Sequence, residues 1–275
     1  MSTDAGWDAA LYANFTAHHR AYDDNILGPL EVRDDFRVLD LGSGAGDLTS
    51  KIADCVPFGS VLGVDASLPL VETSRARFSA AKNVAFTHLR AQQLADLQHV
   101  QLADGRRSGP PFDLAVTVAT LHWVPAEDHP ALYRAIFDLL EPGSHFRADF
   151  GGAGQIASIR EVLDEESSTL GGAVSPWYFP DAGVVREELE ATGFVVDDGF
   201  VRLISQRRSV PSAEALVGWL DSQVLIAYHP SLAEEQYQLF RSRAIKRLVA
   251  RGPRDDGTFD QDYVRVDVLV SKPAN

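Results

Sequence analysis

The chain has 275 residues with a formal net charge of −14, and 45% of its residues are apolar. This composition is sufficient for a sizeable core and excludes a wholly disordered chain. The acidic charge disfavours nucleic acid and anionic membrane surfaces as partners, so we expect a small-molecule substrate.

Residues 7–30 carry aromatic and histidine side chains at about helical spacing, which predicts an N-terminal helical segment. Its rings either pack on the rest of the fold or face a ligand, and both alternatives are open for Tyr12, His18, His19 and Tyr22. Because adjacent side chains point to different faces of a helix, at most one of the two histidines faces inward.

Residues 37–49 combine an apolar run, a glycine-rich turn and an apolar-periodic stretch, which predict a strand, a tight loop and a helix. Gly42, Gly44 and Gly46 permit positive φ angles and let a ligand approach the backbone closely. The helix that begins near Asp47 directs unpaired N–H groups toward the same place. The segment therefore predicts a nucleotide-type pocket.

Three carboxylates bear on which nucleotide this pocket holds. Asp47 stands where the dinucleotide-binding fingerprint has its third glycine, and Asp40 lies just before the loop. Both would repel a pyrophosphate, so the sequence disfavours a NAD-binding reductase and favours a cofactor with a cationic amino acid end. A second apolar run ends in Asp65, 19 residues after Gly46, where an acid accepts hydrogen bonds from ribose hydroxyls.

These two motifs resemble the first two motifs of the class I S-adenosylmethionine (SAM) dependent methyltransferases. The resemblance implies a Rossmann-like, doubly wound α/β sheet of seven strands with helical cap or lid insertions. It also implies SAM as the cofactor, held by the glycine loop, the acid of the second motif and a lid residue. The expected contacts are Asp40, Gly42, Ser43, Gly44, Gly46, Asp65, Ala66 and Tyr12.

The next part of the chain predicts a helix over 67–82 and a third strand over 84–89. In the family this strand usually ends in an aspartate that meets the adenine amine, but Arg90 holds that position here. This departure argues against an acid-to-amine contact, and we expect the backbone of Ala91 and the side-chain amide of Gln92 to hold the adenine instead.

The fourth strand, predicted over 112–118, leads into Leu121-His122-Trp123-Val124. This tetrapeptide resembles the trans-aconitate methyltransferase-like branch of the family, as does the N-terminal run Trp7–Tyr12. The resemblance implies that the N-terminal helices form part of a lid and that Trp123 faces the substrate. It also implies that Val118 lines the cofactor pocket, although the family commonly has a polar pair at this point.

His122 has two alternative roles. If the acceptor is a hydroxyl or an amine, His122 is the best-placed general base, with His18 or His19 as the second choice. Alternatively, it shapes the cofactor pocket beside Trp123, and a carboxylate acceptor needs no base because it attacks as it stands. Methyl transfer requires alignment of the reactants and exclusion of water, so no fixed catalytic triad is expected.

The remaining elements complete the sheet and its cover. We expect His129 in a solvated surface turn rather than at the site. The predicted elements are a helix over 131–140, a strand over 145–150, a helix over 182–192, a strand over 194–204, two amphipathic helices within 211–252, and a last strand over 262–270 that acts as a reversed edge partner.

The chain is expected to form a single methyltransferase domain with a helical cover. The expected parts are the domain over 1–275, lid helices over 1–30, and cap insertions over 155–180 and 211–252. In the first insertion, Trp177 and Tyr178 lie between two prolines. They either form a rigid wall over the substrate, which Tyr22 would extend, or plug the core beneath the cap.

Other features limit the biology of the chain. Its single cysteine, Cys55, excludes an intrachain disulfide and a thiolate metal cluster, and we expect no metal. The start lacks a basic and apolar leader, and no apolar run reaches about 18 residues, so we expect a cytoplasmic protein. The sequence does not indicate the oligomeric state.

The leading hypothesis is a SAM-dependent methyltransferase of secondary metabolism. Its acceptor is a carboxylate, hydroxyl, amine or carbon of a small organic molecule. The alternative is a SAM-binding methyltransferase fold that serves as a non-methylating cyclase or pericyclase, or as a binding protein. Arg90 and Val118, which depart from the family pattern, keep this alternative open.

Overall fold

The computed structural model describes residues 26–274, and within them all side chains except those of residues 197, 198 and 207. The predictions made for residues 1–25, including the roles of Tyr12, His18, His19 and Tyr22, lie outside the described residues. Helices and strands are numbered from the first described residue onward.

The described strands form one large sheet and one short hairpin. They are β1 (Arg37–Leu41), β2 (Ser60–Asp65), β3 (Val84–His88), β4 (Val100–Gln101), β5 (Arg107–Ser108), β6 (Phe112–Val118), β7 (Leu140–Gly151), β8 (Val195–Val210) and β9 (Phe259–Ser271). Seven of them make the central sheet in the order β3-β2-β1-β6-β7-β9-β8, and β4 pairs with β5. All neighbours from β3 to β7 are parallel, and β9 is antiparallel to both β7 and β8. This order confirms the predicted doubly wound α/β fold.

The last strand lies inside the sheet, so its prediction as an edge partner is wrong, and β8 is the edge strand. β9 is buried throughout from Arg265 to Val270, as suits a strand with neighbours on both sides. β8 instead exposes Arg202 and Leu203 to solvent. Charged and exposed side chains are typical of a sheet edge.

Helices cover both faces of the sheet and form the cap. They are α1 (Asp47–Cys55), α2 (Leu68–Arg77), α3 (His129–Leu139), α4 (Ala157–Thr169), α5 (Ala182–Thr192), α6 (Ala213–Trp219) and α7 (Glu234–Ala250). Successive side chains of a strand point to opposite faces. Val38 of β1 accordingly packs in a cluster with α1 and α2, whereas Leu39 packs in a second cluster with α3 and α5.

A third apolar cluster joins α4, α6 and α7 with residues 175–180, the aromatic loop before α5. The first helix predicted within 211–252 ends at Trp219 and continues as a π-helical turn (Leu220–Val224) and a 3-10 helix (Leu225–Ser231). Pro230, which has no N–H to donate, lies in this irregular part. Among residues 26–274, every helix is too short or too polar to span a bilayer.

The connections of the cap begin and end at one edge of the sheet. The carboxyl ends of β1, β2, β6, β7 and β8 lie there, and β7 and β8 continue directly into cap segments. In open α/β sheets, ligands bind at this edge. The cap therefore lies over the edge where a ligand is expected. Whether sheet and cap act as a single domain stays a prediction.

Candidate functional site

The glycine loop, residues 42–46, is fastened to the end of β2. Its first two amides donate to the carbonyl of Val64 at 2.7 and 3.0 Å. The amide of Gly44 donates to the carboxylate of Asp65 at 2.8 Å. The two motifs singled out in the sequence are thus joined by direct hydrogen bonds.

Positive φ angles and close neighbours both require glycine in this loop. The φ angles of Gly42, Gly44 and Gly46 are 80°, 53° and 86°, as the sequence predicted. A Cβ on Gly42 would lie 1.9 Å from Oγ1 of Thr120, and one on Gly46 would lie 2.8 Å from the ring of Phe78. Thr120 thus packs directly on the loop, a contact the sequence analysis missed. The available signal was a threonine just after β6, the strand beside β1.

The turn after β6 is strained and firmly held. Ala119 adopts a φ of 57°, which is unusual for a residue with a side chain. Its amide donates to the carbonyl of Asp149 at 2.8 Å, and the buried Arg265 guanidinium donates to the same carbonyl at 2.7 Å. The half-buried Val118 ends β6 at this turn and accepts from Thr120 Oγ1 at 3.0 Å. Strain of this kind is concentrated at functional sites.

The carboxylate of Asp65 is preorganised by two amides. One oxygen accepts from Gly44 and the other accepts from Ser67, both at 2.8 Å. Burial raises the pKa of this carboxyl, while the two amides and the nearby His88 act in the opposite direction. Each oxygen keeps a further lone pair, which is what recognition of two ribose hydroxyls requires. The adjacent Ala66 accepts from His88 Nε2 through its carbonyl at 2.9 Å.

The other two carboxylates of the loop region are engaged within the protein. Asp40 is 1% exposed and accepts from the hydroxyl of Thr49 at 2.6 Å. Asp47 forms an ion pair with Arg77 at 2.7 Å. Because Arg77 offsets the charge of Asp47, the electrostatic case against a pyrophosphate rests mainly on Asp40.

The hydroxyl of Ser43 bears on whether the loop fits a ligand. Its hydroxyl is buried and has no hydrogen-bond partner among the described residues. Buried polar groups are normally hydrogen-bonded, and an exception indicates a missing ligand or water. An orphaned hydroxyl, a preorganised carboxylate and a positive-φ loop without side chains all fit a SAM-type cofactor.

The two residues assigned to adenine lie in a 3-10 helix (Ala91–Asp96) after β3. Ala91 is half-buried. Gln92 is exposed and donates its amide nitrogen to Asp128 at 3.1 Å. The backbone amide of Arg90 donates a hydrogen bond to the side chain of Gln93. Arg90, and not the family's aspartate, therefore stands at the start of this turn.

His122 lies in a 3-10 helix (Leu121–Trp123) after β6, which we call the His122 turn. Its Nδ1 accepts a hydrogen bond from the amide of Gly151 at 3.2 Å. Because an amide can only donate, Nδ1 carries a lone pair and the ring proton of the neutral histidine is on Nε2. In the neutral ring Nε2 is therefore a donor and has no lone pair for a base.

An aromatic wall, formed by Trp123, Trp177 and Phe179, stands beside His122. The ring of His122 lies 5.6 Å from that of Phe179 and 5.8 Å from that of Trp123. Trp177 packs edge to face on Trp123 and stacks on Phe179. Trp177 is only 8% exposed and also contacts Tyr228 of the cap core. Trp177 therefore belongs to the cap core and also packs within the wall, and its contact with the substrate stays a prediction.

Phe179 was missed as a site residue, although it lies in the predicted wall segment. A Cβ on Gly151 would lie 2.5 Å from the Phe179 ring, so the ring rests on the end of β7. Tyr178 takes a different direction. Its amide donates to the carbonyl of His122 at 3.0 Å, and its ring packs edge to face on His129 at 4.9 Å.

His129 is fully buried, so its prediction as a surface residue is wrong. Its Nε2 donates to the carbonyl of Leu121 at 3.1 Å, and its Nδ1 bonds the hydroxyl of Tyr133 at 3.1 Å. The neighbouring acids suggested a solvated turn, but these two partners satisfy the imidazole inside the protein. Burial lowers the pKa of His129, so it is a neutral support beneath the His122 turn.

We expect Asp65→Ala to weaken SAM binding by more than about tenfold, because charge-assisted hydrogen bonds are worth about 1.5–3 kcal/mol. Calorimetry on the purified protein measures this change. Asp54→Ala, which removes an exposed carboxylate from α1, is the control. An unchanged affinity in Asp65→Ala would remove Asp65 from the cofactor site.

We expect His129 to make the protein less stable in acid. Its pKa is lowered in the folded state, so as the pH falls below about 6.5 only the unfolded chain takes up this proton. The free energy of unfolding should then fall by up to about 1.4 kcal/mol per pH unit, and His129→Gln should lack this contribution. Urea titrations at several pH values measure the slope. The control His99→Gln, at an exposed site, should keep the wild-type slope, and an unchanged slope in His129→Gln would contradict the expectation.

Comparison with known proteins agrees with this geometry. Residues 39–146 match the methyltransferase domain family. Trans-aconitate 2-methyltransferase of Mycolicibacterium gilvum is 27% identical over 96% of this chain and 98% of its own length.

Two solved structures share the fold. The YcgJ protein of Bacillus subtilis covers 94% of this chain and 100% of its own with a TM-score of 0.59 at 14% identity. The [4+2]-cyclase SpnF covers 93% of this chain and 82% of its own with a TM-score of 0.55 at 15% identity. At these identities the likeness concerns the fold alone.

The family match runs from within β1 to within β7 and includes the glycine loop, Asp65 and the His122 turn. The relative extends the similarity through the cap. Together with the preorganised Asp65 and the orphaned hydroxyl of Ser43, these matches identify the cofactor as SAM. The domain match and the relatives together support a class I SAM-dependent methyltransferase.

Proposed function

We propose that the protein methylates a carboxylate oxygen of a small organic acid. Bound SAM supplies an activated methyl group, so the protein need only bind and orient the acceptor and exclude water. The single observation that carries the proposal is the hydrogen bond from the Gly151 amide to Nδ1 of His122.

This hydrogen bond favours a carboxylate over a hydroxyl or an amine. A hydroxyl or an amine must lose a proton as it is methylated, and a general base needs an available lone pair. In His122 the lone pair of Nδ1 is engaged by Gly151, and Nε2 carries the proton. A carboxylate has no proton to lose, and it is a good acceptor for an N–H donor. His122 then orients the acceptor through Nε2–H.

The surroundings of His122 support the same acceptor. The aromatic wall supplies an apolar surface that limits water beside the acceptor. The neutral His129 holds the carbonyl of Leu121, and the Tyr178 amide holds the carbonyl of His122. The carbonyls of Leu121 and His122 are therefore both fixed, which keeps the imidazole in one orientation.

The relatives support an acid as well. The protein from Mycolicibacterium gilvum is named for trans-aconitate, an organic acid anion. At 27% identity this name supports the chemical class of the acceptor and not the molecule itself. Roles in secondary metabolism and in the cytoplasm stay predictions, and so does the single-domain organisation.

We expect His122→Gln to keep most of the turnover and His122→Ala to lose it mainly through weaker acceptor binding. Glutamine retains an N–H donor for a carboxylate, whereas alanine has none. Steady-state kinetics with a carboxylic acid, together with calorimetry for SAM, separate these effects.

Two outcomes would contradict this role of His122. If it were a general base, both variants would lose about 10²–10⁴-fold in turnover with SAM affinity unchanged, and the wild-type rate would rise through a histidine pKa. If it only shaped the cofactor pocket, SAM affinity would fall in proportion to the rate.

A further inference from the structure

Arg160 of α4 is a half-buried cation beside the aromatic wall. Its guanidinium carbon lies 5.5 Å from the centroid of the Phe179 ring, and its side chain is 34% exposed. A guanidinium that faces an aromatic ring does not use its N–H donors in that contact. The N–H groups of the Arg160 guanidinium are therefore hydrogen-bond donors beside the aromatic wall.

Among residues 26–274, the acid within 4.0 Å of the Arg160 guanidinium is Asp164, whose oxygens accept hydrogen bonds from other residues. Asp164 approaches the guanidinium only to 4.0 Å. Its Oδ1 accepts from the amide of Ser175 at 2.7 Å and from the hydroxyl of Tyr228 at 2.6 Å, and its Oδ2 accepts from the Ser175 hydroxyl at 3.4 Å. Asp164 thus fastens the aromatic loop to the cap core.

Arg160 differs in this respect from Arg241, a cap arginine of comparable exposure. Arg241 is 38% exposed and forms two hydrogen bonds of 2.6 Å with both oxygens of Asp221. Among the described residues, the guanidinium of Arg160 has no hydrogen bond within 3.5 Å and only the long contact to Asp164. Its bidentate donor face is therefore available to an anion.

Arg160 and His122 flank the same ring. The ring centroid of Phe179 lies 5.6 Å from the imidazole centroid and 5.5 Å from the guanidinium carbon. Both groups therefore border the same ring, and an acceptor that contacts both must extend along it. Because the chain carries a net charge of −14, it repels anions at long range, and a local cation is needed to hold one.

We propose that Arg160 is a specificity-determining residue that binds a second carboxylate of the acceptor. The carboxylate at His122 is methylated, and the carboxylate at Arg160 stays unmodified and sets the orientation of the acceptor. Acids with two or three carboxylates are then preferred over acids with one. The proposal rests on the proposed function, since it concerns the acceptor of the same reaction.

The test is calorimetry with the protein saturated with S-adenosylhomocysteine. Glutarate and trans-aconitate are compared with pentanoate, which differs from glutarate by one carboxylate. The wild type should bind both polycarboxylates at least about tenfold more tightly than pentanoate. Arg160→Gln should weaken their binding about 10–100-fold and leave pentanoate and S-adenosylhomocysteine unchanged. Arg160→Lys should lie between, because it keeps the charge and loses the bidentate geometry.

Arg186→Gln is the matched control, because it removes the same charge from an exposed pair with Glu190 on α5. It should bind all three acids as the wild type does. The proposal is overturned if Arg160→Gln weakens pentanoate as much as glutarate, if it leaves glutarate binding unchanged, or if the wild type does not prefer polycarboxylates.

The chemical nature of the product separates this proposal from the proposed function. A methylated hydroxyl or amine, together with a selective loss of glutarate binding in Arg160→Gln, would reject carboxylate methylation and keep the role of Arg160. A methyl ester product, together with equal losses of pentanoate and glutarate binding in Arg160→Gln, would keep carboxylate methylation and reject the role of Arg160.

Discussion

The hydrogen bond from the Gly151 amide to Nδ1 of His122 is the interaction on which the chemistry of the site depends. It joins the end of β7 to the turn after β6 and determines which nitrogen of the imidazole carries the proton. The ring of Phe179 packs on Gly151 from the cap side, and His129 supports the turn from the core side. A change in any of these layers would alter the direction of the only imidazole that the described residues place beside the aromatic wall.

The cofactor side of the site is built on a second set of short hydrogen bonds. Asp65 accepts from the Gly44 and Ser67 amides, so the acid of β2 and the glycine loop hold each other in place. Because Gly42 and Gly46 have no side chains, Thr120 and two phenylalanine rings pack directly on the loop backbone. At the start of α1, next to the loop, Arg77 offsets the charge of Asp47. The orphaned Ser43 hydroxyl is a polar group that this framework leaves for a ligand.

Much of the fold could be predicted because the relevant signals are local. The strand over 112–118 and the helix over 182–192 have the predicted bounds, since each is an apolar-patterned run between turn residues. The glycine loop was equally clear, because glycine adopts positive φ angles without steric cost.

The misses depend on contacts between residues far apart in the chain. His129 follows two acids and resembles a surface residue, but the carbonyl of Leu121 and the hydroxyl of Tyr133 allow it to be buried. The charge of Asp47 is offset by Arg77, which lies on another helix. β9 looks like an edge strand until its pairing with both β7 and β8 is known. Arg160 is conspicuous only because Asp164 is occupied by Ser175 and Tyr228.

The fate of the transferred methyl group tests carboxylate methylation most directly. The enzyme is incubated with SAM labelled in its methyl group and a mixture of small acids, phenols and amines, and the labelled product is treated with mild base. A methyl ester releases its label as methanol, and this is the result that the engaged Nδ1 of His122 predicts. Label that survives base, as in an ether or an N-methyl amine, would contradict it.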